Sequence, residues 1–248
     1  MMKLIKIPAI ALTLILLWQL VVSGFGLPRY ILPSPMMVFD AFLANVPLIW
    51  QHTKVTLLEI LLGLGIGVVM GVCSALVLSS SKRISSVLLP ILVISQAIPV
   101  FAIAPLLVLW FGYGIASKIV MTVLIIYFPV TAACFDGLRQ TPRAWLDLAK
   151  TYRISAWQML LKVKLPAALP ALASGLRIAI SIAPIGAVVG EWVGSSEGLG
   201  YLMLHANARM QVDLMFVALF VLLTIALVLY FVGDYLLKRL IPWATHVH

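Results

Sequence analysis

The sequence predicts an all-α polytopic membrane protein with about six transmembrane helices, on the basis of its composition and the lengths of its apolar runs. Of its 248 residues, 63% are hydrophobic and only 10% are charged. A single soluble core cannot bury that much apolar surface, so most of it must face lipid. Because about 20 apolar residues span a bilayer, the chain has room for about six spans and their loops.

The first predicted span covers residues 4–25 and follows two cationic residues, Lys3 and Lys6. This arrangement resembles a secretory signal sequence, but no convincing cleavage site follows it, so we expect an uncleaved helix. Farther on, Ser34 and Pro35 are residues that start helices, and the apolar positions after them fall on one helical face. That segment is either an amphipathic helix at the membrane interface or an ordinary packed loop helix.

Five more apolar segments predict the remaining spans. The second span has glycines at four-residue intervals, which allow another helix to approach that face. The third contains three prolines and is predicted to be kinked or broken. Backbone groups freed by proline must be satisfied by protein or water at membrane depth, so this span should face protein or a cavity. The five spans cover residues 53–78, 87–111, 116–135, 172–193 and 214–237.

The Lys and Arg residues, which give a formal net charge of +9, are concentrated in alternate loops. If the N-terminus is cytoplasmic, most of them lie on the cytoplasmic side, and this excess predicts that both termini are cytoplasmic. The reverse topology would invert the bias. The cations assigned to the outer side are Arg29, Lys54, Lys118 and Arg209.

Ionisable residues inside the spans are rare and energetically costly, so each needs a partner or water. Glu59, Arg177 and Glu191 are such residues, although Glu59 and Arg177 could instead form a structural charge pair. Pro184 is expected to kink the fifth span, with Ser181 helping to satisfy the freed backbone. The residues that we expect to line a polar pathway are Gln96, Pro99, Ser181, Pro184, Glu191 and Glu59.

Glu191 lies among glycines spaced four residues apart and is followed by a polar, glycine-rich stretch. Residues 195–200 could form an outer gate loop, although packing alone explains the glycines equally well. His205 and Asp213 follow on the predicted outer side, where we expect solvated surface residues rather than ligands.

A stretch of about thirty residues separates the fourth and fifth spans on the predicted cytoplasmic side. It is much longer than the other inner turn and strongly amphipathic. Pro142 suits a first helical turn, and apolar residues recur at helical spacing opposite charged ones. Helical pieces that dock on a cytoplasmic component have this pattern, and an amphipathic helix resting on anionic lipid is the alternative.

Within this stretch, seven residues keep the register of a known signature: Asp147, Leu148, Ala149, Arg153, Val163, Leu165 and Pro166. They resemble the cytoplasmic signature of binding-protein-dependent ABC importer permeases. That signature reads acidic-Ala-Ala, a Gly four residues later, then a branched apolar residue and Leu-Pro. Here Leu148 replaces the usual Ala, and Arg153 replaces the Gly that allows a tight turn between two short helices.

The resemblance implies the permease subunit of an ATP-driven importer, with a cytoplasmic coupling-helix segment at residues 137–166 that docks on a separate ATP-binding cassette ATPase. Residues 1–52 would form the first helix and an outer segment, and residues 53–248 the permease core. A homodimer in the bacterial inner membrane would receive substrate from a soluble binding protein. The sequence has no Gly-rich loop ending in Gly-Lys-Ser or Gly-Lys-Thr, so we expect no nucleotide site, catalytic residue, metal or cofactor.

Two further stretches, residues 165–179 and 191–203, resemble the branch that imports sulfonates, taurine, nitrate, riboflavin or thiamine-precursor pyrimidines. By resemblance we rank a thiamine-precursor pyrimidine or similar small heterocycle alongside sulfonates, and the scarcity of cations at mid-membrane argues slightly against an anion. The alternative function is an ion-coupled secondary transporter, which predicts an inverted repeat that we do not see. A membrane-embedded enzyme would need clustered catalytic groups at membrane depth, whereas the histidines fall outside the predicted spans: His52, His205, His246 and His248.

Overall fold

Helices make up nearly all of the structure. The computed structural model describes the backbone of residues 2–243 and the side chains of residues 10 and 12–243, and within this part of the chain no strand is formed. The helices are α1 (Met2–Gly24), α2 (Pro35–Ala44), α3 (Val46–Ser80), α4 (Lys82–Ser95), α5 (Val100–Phe111), α6 (Ile115–Arg139), α7 (Arg143–Thr151), α8 (Ala156–Met159), a π-helical turn (Leu160–Lys164), α9 (Leu165–Gly194), α10 (Leu199–Ala208) and α11 (Val212–Leu240).

Four helices of the described chain are long and apolar enough to cross a membrane: α3, α6, the continuous helix Ala156–Gly194 and α11. A fifth span is formed if the bent pair α4 and α5 crosses as one. The part of α1 whose side chains are described, Leu12–Gly24, is an apolar helix shorter than these spans. The multi-pass prediction is therefore confirmed, and the count of six remains a prediction.

Helix α6 is the centre of the bundle, with α3 on one side and α9 on the other. Thr122 of α6 lies between two glycines: a Cβ atom on Gly63 of α3 would be 2.6 Å from Thr122 Cβ, and one on Gly186 of α9 would be 2.7 Å from Thr122 Cα. No real Cβ atom packs that closely, so these backbones can meet only because both residues are glycine. The approach predicted for the glycine face of the second span is thus confirmed.

The predicted third span is broken, as its prolines indicated. Helices α4 and α5 meet at 95°, and the break falls at residues 96–99. Pro99 is the N-cap residue of α5, while Pro90 and Pro105 lie inside their helices. None of the residues of α4 is buried within the described chain, so this helix lies on the surface of the bundle.

Two helices begin earlier than the apolar pattern predicted. Helix α3 begins at Val46 rather than at residue 53, so the boundary expected between residues 52 and 53 falls inside it. Helix α9 begins at Leu165 rather than at residue 172, with Pro166 in its first turn, where the missing N–H costs no hydrogen bond. The predicted 137–166 segment therefore ends inside α9 instead of before it.

The helix predicted after Ser34 forms as α2. The Ser34 hydroxyl accepts a hydrogen bond from the Met37 N–H at 3.4 Å, which is the N-cap contact expected of serine. Only Val38 of this helix is buried, against a cluster that includes residues of α10 and α11. The structure places α2 as a helix packed on the bundle.

The two ends of the bundle are distinguished by short helices. Helix α9 contains 30 residues and is therefore about 45 Å long. The segment of α7 and α8 precedes it and α10 follows it, so these short helices lie at opposite ends. We call these the α7 end and the α10 end. Helix α10 was not predicted, because residues 195–200 were expected to form a loop.

Candidate functional site

An apolar groove of about 370 Å³ lies at the α7 end. One wall is the amphipathic helix α7 with the turn that follows it, and the other is the π-helical turn with the first turn of α9. Such π-helical turns are rare and occur frequently at functional sites. The groove is lined by Trp145, Leu148, Ala149, Tyr152, Ile154, Lys162, Val163 and Pro166.

Four of the seven signature residues meet in this groove, although they are separated by up to eighteen positions in sequence: Leu148, Ala149, Val163 and Pro166. Leu165 is half-buried beside them. Asp147 stands outside the groove with its side chain 70% exposed, where its carboxylate accepts a hydrogen bond from Lys150 at 2.9 Å. An exposed pair of this kind adds at most about 1 kcal/mol of stability, so the fold does not depend on it.

Arg153 adopts the backbone conformation that the family signature supplies with glycine. Its φ angle is +52°, in the left-handed region, and its N–H donates to the Lys150 carbonyl at 2.8 Å. The tight turn between α7 and α8 is therefore formed despite the substitution. A residue with a Cβ atom pays about 1–2 kcal/mol for this conformation. The sequence did not decide whether this turn could form with Arg153 in place of glycine, and the structure shows that it does.

We expect Arg153→Gly to stabilise the turn by about 1 kcal/mol, because glycine removes the left-handed penalty while the exposed Arg153 side chain leaves no cavity. The measurement is hydrogen exchange of the amides of residues 152–156, which should slow. Arg153→Ala is the matched control, since alanine keeps the Cβ atom and removes the charge. Equal slowing in both variants would show that the charge, not the backbone, is responsible.

A second cluster of polar groups is buried at the α10 end, among helices α3, α6 and α9. The side chains of Glu59 and Glu191 are 0% and 1% exposed, and Lys118 Nζ lies 3.1 Å from Glu59 Oε1. The geometry of this ion pair is not that of a directed hydrogen bond. Thr56 donates to Glu191 Oε1 at 2.6 Å. Lys118 offsets the buried charge of Glu59, and Glu191 accepts hydrogen bonds from Thr56 and the Gly200 N–H.

The structure corrects the charge pairs left open by the sequence. Glu59 pairs with Lys118, which was expected on the outer surface but is buried in α6. Arg177 Nε lies 2.7 Å from Asp234 Oδ1 on α11, so Glu59 and Arg177 do not pair with each other. Asp234 also binds Lys238 at 2.6 Å. Lys118 and Arg177 thus each have an acidic partner on a neighbouring helix.

The six predicted pathway residues do not come together in one site. Gln96 and Pro99 are exposed at the corner between α4 and α5, and Ser181 is exposed on α9. Ser181 donates to the Arg177 carbonyl at 2.9 Å, not to the Ile180 carbonyl that Pro184 leaves without its donor. The other members are buried inside the chain: Pro184, Glu191 and Glu59.

One functional candidate was missed because the second span was drawn too short. His52 was expected outside the spans, yet it lies in α3, is buried, and accepts the Gly198 N–H through Nδ1 at 3.0 Å. His52, Thr56 and Glu59 precede Gly63 on the same helical face, at intervals of three or four residues. That spacing is the sequence pattern from which a shared buried face could have been predicted. His246 and His248 lie outside the described residues.

The sequence pattern of the family described as binding-protein-dependent transport system inner membrane component matches residues 63–245, well over half of the chain. The chain belongs to this family.

Related permeases cover almost the whole sequence. An ABC transporter permease protein of Haemophilus influenzae is 69% identical over 98% of this chain and 99% of its own length. The formylaminopyrimidine transport permease protein ThiX of Halalkalibacterium halodurans is 36% identical over 94% and 93%. The riboflavin transport system permease protein RibX of Chloroflexus aurantiacus is 37% identical over 96% and 89%.

The fold agrees with this assignment. A chain of the MetNI methionine ABC transporter, solved in inward-facing conformations, superposes with a TM-score of 0.62 at 21% identity, covering 81% of this chain and 96% of that one. This chain is therefore a multi-pass inner-membrane permease of an ATP-driven importer, and the alternative of an ion-coupled secondary transporter is wrong. In this family ATP hydrolysis belongs to a separate subunit.

Proposed function

We propose that this permease imports a small, uncharged nitrogen heterocycle, of the kind represented by thiamine-precursor pyrimidines, that a soluble binding protein delivers at the α10 end. The support is the pair of relatives named for formylaminopyrimidine and riboflavin, which are both nitrogen heterocycles, at 36% and 37% identity over nearly the whole chain. Sulfonates are the second candidate, because residues 165–179 and 191–203 resemble that branch as well.

The charges inside the spans favour the heterocycle over the sulfonate. Lys118 and Arg177, the buried and half-buried cations of the spans, already have Glu59 and Asp234 as partners. A sulfonate that used Lys118 would leave Glu59 without its cation at membrane depth, which costs several kcal/mol, whereas Asp234 would keep Lys238 if Arg177 were taken. An uncharged heterocycle requires no such exchange of partners.

The substrate is tested by uptake into proteoliposomes that contain the complete transporter, with its binding protein on the outside. Labelled formylaminopyrimidine should accumulate with ATP inside the vesicles, and excess unlabelled taurine should leave this uptake unchanged. Uptake of taurine without uptake of the pyrimidine would reverse the ranking.

The observation that carries the coupling part of the proposal is the apolar groove at the α7 end. Trp145, Leu148 and Tyr152 are all more than half exposed on it, although they are large and apolar. Such a patch at the surface of a protein marks a contact with another protein. We assign it to the ATPase subunit, with Asp147 as part of the docking surface beside the groove and Arg153 and Leu165 positioning the turn and the base of α9. Affinity purification of the tagged permease should recover this ATPase.

The assignment of the groove to the ATPase also bears on the orientation of the chain in the membrane and on its oligomeric state. Cations lie near the groove, which by the positive-inside rule supports a cytoplasmic α7 end and, with six spans, cytoplasmic termini. The exposed Gln96 amide at the corner of α4 and α5 would be unsatisfied in lipid. A second copy of the chain covering that corner would satisfy it, which supports a homodimer. The permease core then begins with α3 at Val46, and α1 and α2 are added at its edge.

We expect Asp147→Arg to reduce ATPase co-purification and transport at least tenfold while membrane insertion is unchanged. The side chain is exposed and its pair with Lys150 adds little to the fold, so the loss would report docking. Lys150→Gln is the matched control, because it breaks the same ion pair and should retain transport. Full transport by the Asp147→Arg variant would show that Asp147 is not part of the docking surface.

A further inference from the structure

Helix α10 lacks an N-cap side chain of its own. Its N-cap residue is Gly198, with a φ angle of +112°, and the first four N–H groups of a helix have no partner within the helix. These groups are buried here, since Gly198, Leu199 and Gly200 are all buried. A buried N–H group without an acceptor costs about 1–3 kcal/mol, so the acceptors must come from elsewhere.

Three side chains from two other helices supply these acceptors. The Gly198 N–H donates to His52 Nδ1 at 3.0 Å, and the Leu199 N–H donates to Thr56 Oγ1 at 2.8 Å. The Gly200 N–H donates to Glu191 Oε2 at 2.5 Å. A carboxylate at this position further stabilises the partial positive charge of a helix N-terminus. The start of α10 is therefore capped entirely by α3 and α9.

The glycines at the start of α10 are required by this arrangement. A Cβ atom on Gly198 would overlap the carboxyl group of Glu191, and its positive φ angle separately disfavours other residues. A Cβ atom on Gly200 would lie 2.8 Å from Glu191 Oε2. The sequence 198–200 thus allows the backbone to lie directly against a buried carboxylate.

Lys118 extends the same cluster to the connection between α9 and α10. Its ammonium group pairs with Glu59 of α3 and donates to Ser195 Oγ at 2.6 Å. Ser195 in turn accepts the Glu197 N–H at 3.0 Å, which folds the connection into a tight turn. Helices α3, α6 and α9 are therefore all bonded to the segment of residues 195–201.

We propose that the cluster formed by His52, Thr56, Glu59, Lys118 and Glu191 makes α10 a rigid extension of α9, and that Glu191 is the positioning residue of this connection. Helix α9 begins at the groove and ends at the cluster, about 45 Å away. Close packing through Gly175 and Gly186 holds α9 against α6 along its length. Movement of the groove is then transmitted to α10. This role rests on the proposed docking of the ATPase.

Glu191→Gln tests the proposal, because the amide keeps the size of the side chain but has one acceptor oxygen in place of two. In the reconstituted transporter we expect complex formation and basal ATP hydrolysis within twofold of the unmodified protein, and at least a tenfold loss of substrate moved per ATP hydrolysed. Glu197→Gln, an exposed carboxylate on the same connection, is the matched control and should behave as the unmodified protein. Transport per ATP that is unchanged in Glu191→Gln would overturn the positioning role.

Hydrogen exchange on the free permease separates this inference from the proposed function. The amides of residues 198–201 should be protected in the unmodified chain and should exchange at least tenfold faster in Glu191→Gln. Equal exchange rates in the two proteins would overturn the cap itself. If no ATPase binds the unmodified chain, the proposed docking fails and the transmission role fails with it, while the exchange result still decides the cap.

Discussion

Leu148→Glu is expected to abolish recovery of the ATPase with the permease. Leu148 is 59% exposed on the groove, so its replacement removes no contact from the core of the chain. If the groove binds the ATPase, the new carboxylate becomes buried in an apolar contact, at a cost of about 4 kcal/mol. That cost corresponds to about a thousandfold weaker binding. The measurement is co-purification of the ATPase with the tagged variant from solubilised membranes.

The matched control for this variant is Leu148→Met, which keeps nearly the same apolar volume and should retain the ATPase. Both variants should reach the membrane in equal amounts, because neither changes a buried residue. Recovery of the ATPase at the normal level with the Leu148→Glu variant would place the docking surface elsewhere on the chain.

Gly63→Val is expected to destabilise the permease by about 1–3 kcal/mol or to prevent its folding, as overpacking of a tight interior does. The added Cβ atom would lie 2.6 Å from Thr122 Cβ, and Thr122 cannot retreat because Gly186 of α9 lies behind it. For a chain of this size each kcal/mol lowers the melting temperature by about 2–4 °C. The measurement is thermal unfolding of the purified variant in detergent.

Gly65→Val provides the control on the same helix, two residues away. A Cβ atom on Gly65 meets nothing within 4 Å of the described chain, so the same substitution should leave the melting temperature within about 2 °C of the original. Equal destabilisation by the two variants would mean that glycine content, rather than the close approach of α3 to α6, limits stability.

The apolar periodicity of the sequence located most of the helices but not their ends. The predicted start of the second span at residue 53 excluded His52. In the structure α3 continues back to Val46, and its polar face is covered by α10. Hydropathy reports average exposure to lipid, whereas the side chains of His52, Thr56 and Glu59 are kept from lipid by other helices.

The signature at residues 147–166 shows what the sequence could predict about the site and what it could not. Its spacing predicted that Leu148, Ala149, Val163 and Pro166 belong to one site. The structure brings these four residues into one groove. The substitution of glycine by Arg153 left the turn undecided, since a side chain only disfavours a positive φ angle and does not forbid it. In the folded chain the φ angle of Arg153 is +52°.

Composition and apolar spacing determined a multi-pass membrane protein, because lipid imposes long apolar helices, and the resemblance of one cytoplasmic signature indicated an ABC importer permease. The tertiary structure alone decided which buried charges pair, how α9 continues from the π-helical turn, and that α3 and α9 cap α10. These features depend on contacts between residues as far apart as Thr56 and Glu191. Local periodicity carries no information about which distant polar group will lie within hydrogen-bonding distance.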